Sequence, residues 1–238
     1  MNSAIRWAKT AFVLVPVIAV YTIVLGTLSI VGGLFDGSGR FAHRCAQWWA
    51  RLILWTSRTR LEIKGVPMPP PDRSAVFVAN HSSFYDTPIV FGALPRQLRI
   101  MAKADLGYVP FIGWHLSRSG HVLVDRKNPG ASIFKRMQRM ARSGASLIVF
   151  PEASRTKDGA VHKFKAGIFM LAIENELPVV PISISGSRTV MPKGRFSVAP
   201  ATVVVTVHET IPTKGMTRDD ARALAARVQA IVTAAVSH

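Results

Sequence analysis

The stretch that decides how this chain folds is Ala75-Val76-Phe77-Val78-Ala79-Asn80-His81-Ser82-Ser83-Phe84-Tyr85-Asp86. Its first five residues form an unbroken apolar run, as expected of a short buried strand. The strand then ends in small and polar residues, which puts His81 on a loop at the edge of a sheet. His81 and Asp86 stand five positions apart; on one continuous helix they would point about 140° away from each other. The chain must therefore turn between them for the carboxylate to reach the imidazole, and Ser82-Ser83 supplies turn and N-cap chemistry. A carboxylate on one ring nitrogen fixes the tautomer and raises the basicity of the other nitrogen. Such a pair is a general base for a hydroxyl or thiol.

Outward from this strand, apolar runs alternate with helical patterns. Strands are expected at residues 61–65, 75–80, 98–103, 121–125, 147–150, 179–185 and 202–208, and helices at 84–94, 131–143, 166–174 and 217–236. Four prolines between Val66 and Asp72 exclude regular structure there. This alternation predicts an α/β fold with a mostly parallel central sheet flanked by helices. No repeat or linker interrupts the body, so residues 59–238 read as one domain.

Residues 1–58 read differently, as a two-helix segment that anchors the chain to a membrane. From Thr10 to Phe35 there are 26 residues without a charge. A helix over 11–31 would be about 30 Å long, enough to cross a bilayer core, and too long for the apolar core of a cleaved signal peptide. Gly32-Gly33 and Asp36-Gly37-Ser38-Gly39 mark a sharp turn. In the following helix, expected at 40–58, Arg44, Arg51 and Arg58 recur every seventh position beside Phe41, Trp48 and Trp55. Trp at headgroup depth and snorkelling Arg are the pattern of a helix lying in the interface; an ordinary amphipathic helix packed on a domain gives the same repeat. Basic residues flank the apolar run on both sides (Arg6 and Lys9 before it, Arg40 and Arg44 after it). The positive-inside rule then favours a hairpin dipping into one leaflet from the cytoplasmic face of the inner membrane over a single span.

The net charge of +17, from 30 Lys and Arg against 13 Asp and Glu, attracts polyanions. Beside so long an apolar segment, anionic membrane lipids are the expected partner, and no nucleic-acid-binding signature is visible. Cys45 is the only cysteine, which excludes an intramolecular disulfide and a cysteine metal site.

Polar groups also stand at other strand ends: Lys103 after Leu98-Arg99-Ile100-Met101-Ala102, Arg126 after Gly120-His121-Val122-Leu123-Val124-Asp125, and Phe150-Pro151-Glu152-Ala153-Ser154-Arg155 after Leu147-Ile148-Val149. In an open α/β sheet, ligands bind beyond the carboxyl ends of the strands, so Lys103, Arg126 and Arg155 are expected to converge on one anion beside His81.

NHSSFYD, GHVLVDR, FPEASR and VVPISI, in this order, resemble the four blocks of the membrane glycerolipid acyltransferases, with the bacterial 1-acyl-glycerol-3-phosphate acyltransferases the nearest match. The Ala102-Lys103 to Gly113-Trp114 segment and Lys163-Phe164-Lys165-Ala166-Gly167 are similar to that family as well; the likeness spans roughly residues 60–210. The resemblance implies His81 as general base and Asp86 as the residue that orients it. It implies Arg126 on the acceptor phosphate, Glu152, Ser154 and Arg155 in the acceptor site with Lys103 beside them, and Pro181 near the acyl region. The reaction so implied moves an acyl group from acyl-CoA or acyl-carrier protein to the sn-2 hydroxyl of lysophosphatidic acid, giving phosphatidic acid, with no cofactor or metal. Another lysophospholipid, a lyso amino-acid lipid, or a non-catalytic lipid-binding role are the alternatives. One position departs from the family: its third block usually reads Phe-Pro-Glu-Gly-Thr-Arg, and here Ala153 and Ser154 replace Gly and Thr. If that position needs a positive φ, a Cβ there costs roughly 1 kcal/mol and reshapes the loop.

Overall fold

The computed structural model describes residues 3–70, 73–124, 132–156 and 158–236. Its strands are β1 (Arg60–Gly65), β2 (Val76–Ala79), β3 (Leu98–Lys103), β4 (Val122–Val124), β5 (Ser146–Val149), β6 (Val179–Ser185) and β7 (Thr202–Val207). They form one sheet in the order β1-β7-β6-β2-β5-β3-β4. Every pairing is parallel except β6–β7. The exception follows from the connection. A parallel return usually crosses over through a full helix packed on the sheet, whereas the β6–β7 link holds only the single-turn helix Ser187–Val190.

The helices are α1 (Ser3–Lys9), α2 (Val15–Gly32), α3 (Arg40–Thr56), α4 (Asp86–Ala93), α5 (Ile112–Arg118), α6 (Ser132–Arg142), α7 (Gly167–Glu174), α8 (Ser187–Val190) and α9 (Ala221–Ala235). Successive strand residues alternate between two cores. Phe77, Ala79 and Ile148 join a cluster with α3, α4 and α5, whereas Val76, Val78, Leu147 and Val149 join one with α6, α7 and α9. Strands covered on both faces read as the continuous apolar runs seen in the sequence. The last helix opens on a capping box between Thr217 and Asp220. Helix α5 and the 3-10 turn Ala104–Tyr108 stand where no helix was expected, because Pro110 and Gly113 break any helical period across that segment.

Residues Ser3–Gly32 run as one helix of 30 residues, the only one among the described residues long and apolar enough to cross a membrane. A π-helical turn at Thr10–Leu14 precedes Pro16, whose missing N–H interrupts the α ladder. Helix α3 returns antiparallel to α2. The Tyr21 hydroxyl meets Thr56 Oγ1 at 3.0 Å, Trp49 Nε1 donates to Thr22 Oγ1 at 3.0 Å, and a methyl at Gly32 would overlap the Phe41 ring. Arg99 and Gln97, at β3, donate to the Ser38 carbonyl at 3.2 and 2.8 Å and so tie the α2–α3 turn to the sheet. Leu14, Ala50, Ile53 and Leu54 lie in the same core cluster as the sheet residues. Phe41, Trp48 and Trp55 face outward from α3, with Trp55 75% exposed, and the Arg51 guanidinium lies 5.8 Å from the Trp48 ring centre.

Candidate active site

The central strand β2 delivers the histidine. As β2 and β6 diverge, Asn80 closes the gap with both ends of its amide: Nδ2 donates to the Ile184 carbonyl at 2.9 Å, and Oδ1 accepts from the Ile184 N–H at 2.8 Å. The chain then turns at 81–85 and enters α4 with Asp86, which is wholly buried. One oxygen of Asp86, Oδ2, accepts the Ser82 and Ser83 N–H groups at 2.8 Å each and meets His81 Nδ1 at 2.7 Å. An ionised carboxylate only accepts, so the network assigns the proton to Nδ1 and leaves Nε2 with a free lone pair. Ser83 Oγ donates to the Met191 carbonyl and Ser82 Oγ meets Ser187 Oγ at 3.0 Å, which fixes this turn against α8.

The segment after β5 supplies the second wall. The Phe150 ring stacks on the His81 ring at 4.3 Å and 21°. Glu152 accepts the His81 N–H on Oε1 at 2.7 Å and the His162 N–H on Oε2 at 2.9 Å. Both its oxygens are thus committed to backbone, and it ties the β2 and β5 loops together. Burial pushes its carboxyl above the ordinary value, against the lowering effect of those two N–H bonds. Thr156 N–H donates to the His81 carbonyl at 2.9 Å, a further link between the same loops. Ala153 adopts φ = +62°, so the left-handed geometry that favours glycine is present and carried by alanine.

Arg155 lies with its guanidinium carbon 3.2 Å from the centre of the Phe84 ring, and its carbonyl accepts a bond from Lys193 Nζ at 2.7 Å. Its Nη1 is buried with no partner among the described residues, a donor open to an oxygen on a ligand. Ser154 is exposed beside it. Of the three cations expected to converge, Arg155 stands against Phe84, in the turn that follows His81. Lys103 ends β3, which β5 separates from β2, and its ammonium is paired with Asp105. Arg126 lies outside the described residues. Pro181 is buried within β6 beside Val78 and lines neither of the cavities described here.

Next to Phe84, an apolar cavity of about 280 Å³ opens between α2, α3, α4 and α5; Leu25, Trp49, Phe84, Phe91, Phe111 and Leu116 are among its walls. Sequence reading did not assign Asn80, Phe150 or the His162 peptide to the site. Asn80 was visible directly before the histidine, whereas Phe150 meets His81, and the His162 peptide meets Glu152, only in the folded chain.

Residues 60–185 match the Acyltransferase family. The chain is similar to a chloroplastic 1-acyl-sn-glycerol-3-phosphate acyltransferase of Brassica napus, 35% identical over 186 residues covering 75% of this chain and 54% of that protein. It is also similar to the human 1-acyl-sn-glycerol-3-phosphate acyltransferase alpha, 32% identical over 71% of this chain and 61% of that protein. The chain thus spans about half to three-fifths of these relatives' length. The crystal structure of the 1-acyl-sn-glycerophosphate acyltransferase PlsC of Thermotoga maritima superposes with a TM-score of 0.74 at 25% identity, over 92% of each chain.

Proposed function

The chain belongs to the acyltransferase family, and from that premise we propose that it transfers a fatty acyl group from an acyl thioester to the sn-2 hydroxyl of lysophosphatidic acid, giving phosphatidic acid. The observation that carries this reading is the single Asp86 oxygen that grips His81 Nδ1 and two backbone N–H groups. That grip sets the ring in the tautomer that can take a proton on Nε2.

In the proposed reaction Nε2 removes the hydroxyl proton as the oxygen attacks the thioester carbonyl. A C–O bond forms, the C–S bond breaks, and the proton held by His81 passes to the departing thiolate. Hydroxyl activation and a thiolate leaving group need no metal or cofactor. Stacking on Phe150 and the Glu152 bond to the His81 N–H hold the ring still through both proton transfers. Arg155, with its unpartnered Nη1, and Arg126 are the proposed holders of the acceptor phosphate, since a guanidinium grips phosphate oxygens in pairs. The apolar cavity beside Phe84 is the proposed seat of the acyl chain. The outward surface of the 3–32 helix, the turn after it and α3, with Phe12, Leu34, Phe35, Trp48 and Trp55 exposed, is proposed to sit in anionic lipid at the cytoplasmic side of the inner membrane.

A second acceptor reading rests on Ala153. Its methyl, held at φ = +62°, stands one residue from Glu152 and favours an acceptor with another headgroup, a different lysophospholipid or a lyso amino-acid lipid. The test is thiol release from acyl-CoA and acyl-carrier protein with a panel of lysolipids, with His81→Ala as control. Release that requires lysophosphatidate and is lost in the variant is expected. Release with another acceptor alone selects the second reading, and release with none would leave a lipid-binding protein.

A further inference from the structure

We propose that the outer face of α6 docks an acidic acyl-carrier protein and that the groove beside the N-terminal half of this helix admits the carrier's thioester-bearing arm. The inference rests on the acyl-transfer reading above and adds the donor's docking surface. Helix α6 reads SIFKRMQRMAR and contains no acidic residue. Ile133, Met137 and Met140 form its buried stripe, while Lys135, Arg136 and Arg139 are exposed. These three cations cover about 100° of the helix circumference, one continuous positive face. Among the described residues, no ion pair engages any of them.

Two placements identify the partner. Helix α6 packs on the core formed with α7 and α9, whereas α3 packs on the core at the opposite face of the sheet. A bilayer seated against α2 and α3 therefore lies on the far side of the sheet from α6, and this cationic face meets soluble partners. Beside the N-terminal half of α6 lies a groove of about 660 Å³, lined by Ile133, Lys135, Phe150, Pro151, Ala153 and Lys165. Phe150 is the ring stacked on His81. A narrow, flexible arm entering beside Lys135 is thus led to the aromatic ring that backs the base. A nucleotide headgroup needs a concave seat, and the outer face of α6 is convex. A folded partner with an acidic helix complements such a face, and opposite charges across it would both steer encounter and hold the register.

The experiment uses the full chain in lipid nanodiscs, with palmitoyl-acyl-carrier protein and palmitoyl-CoA as alternative donors and lysophosphatidate as acceptor. The variant is Arg136→Glu with Arg139→Glu, with Arg136→Gln and Arg139→Gln as a milder pair should the first fail to fold. Carrier-protein binding is also measured directly by fluorescence anisotropy, which needs no turnover. The expected result is a KM for the acyl-carrier protein raised about tenfold or more, with kcat nearly constant and palmitoyl-CoA kinetics unchanged. In the unaltered protein, carrier binding should weaken steeply as salt is added. Equal loss with both donors, or no change with the carrier protein, overturns the proposal. So does release of the variant from phosphatidylglycerol vesicles, which would make α6 a lipid-facing helix. Carrier binding without turnover keeps the docking surface and removes the reaction; palmitoyl-CoA turnover without carrier binding does the reverse.

Discussion

Replacing Ala153 with glycine should make the protein more stable. Ala153 sits at φ = +62°, where the Cβ of an L-residue crowds the backbone at a cost of roughly 1–2 kcal/mol. Glycine removes that cost but gains freedom in the unfolded chain worth about 0.4–1 kcal/mol. The balance is a stabilisation of roughly 0.5–1 kcal/mol. For a chain of this size, 1 kcal/mol moves Tm by about 2–4 °C, so a rise of about 1–4 °C is expected. The Ala153 N–H bond to the Phe150 carbonyl at 3.1 Å is a backbone contact and survives the change. The assay is a fluorescence melt of both proteins in one detergent at one scan rate, followed by acceptor competition between lysophosphatidate and other lysolipids. A lower Tm would refute the reasoning, because it would mean that the methyl's packing in the groove outweighs the strain. A shift of acceptor preference toward lysophosphatidate would identify that methyl as a specificity determinant, and an unchanged preference would dismiss it as one.

In Asp86→Asn one amide atom takes the place of Oδ2: as an oxygen it still accepts from Ser82, Ser83 and His81 Nδ1 but carries no charge to stabilise the protonated ring, and as an NH2 it would face two N–H donors. Turnover should fall about 10²–10⁴-fold while the melt barely moves; unchanged turnover would remove His81 as the base. Exchanging both Trp48 and Trp55 for Ala should lower partition onto anionic vesicles about tenfold or more in a sedimentation assay, since each large exposed ring offers 1.5–3 kcal/mol of burial at most, by a rough count. Burial and the nearby Arg99 charge hold His115 down at about 4, and burial holds His121 well below its ordinary value. Both are neutral when folded, so the unfolded chain binds protons first as pH falls through about 6.5. Stability should therefore drop between pH 6.5 and about 4, by on the order of 2 kcal/mol for His115 alone by pH 5, measured by urea unfolding. A flat profile across that window would mean that these rings take up protons while folded.

The central strands were legible because they are covered on both faces and so read as apolar blocks, as with Val76–Ala79 and Ser146–Val149. The His81–Asp86 contact was legible too, since the serines between them force the turn that brings five positions together. Strand order was not. Parallel strands take their neighbours from crossovers whose landing point leaves no local trace, so nothing local told that β5 would lie between β2 and β3. For the same reason Phe150 and the His162 N–H were invisible as parts of the site. The positive φ at Ala153 was readable only as a condition attached to a resemblance, because alanine carries no turn signal of its own.

Helix α3 ends at Thr56 and β1 begins at Arg60, with three residues between them. That joint is itself locked: Ser57 Oγ bonds the Ile53 carbonyl at 2.8 Å and Thr59 Oγ1 at 2.9 Å. A joint so short and so bonded gives the sheet no swing relative to the helical hairpin. For a protein seated in lipid by that hairpin, His81 then rides at a constant height above the bilayer. Acceptor and product would reach and leave it by sliding sideways within the leaflet, and the length of a lysolipid's headgroup would act as a ruler.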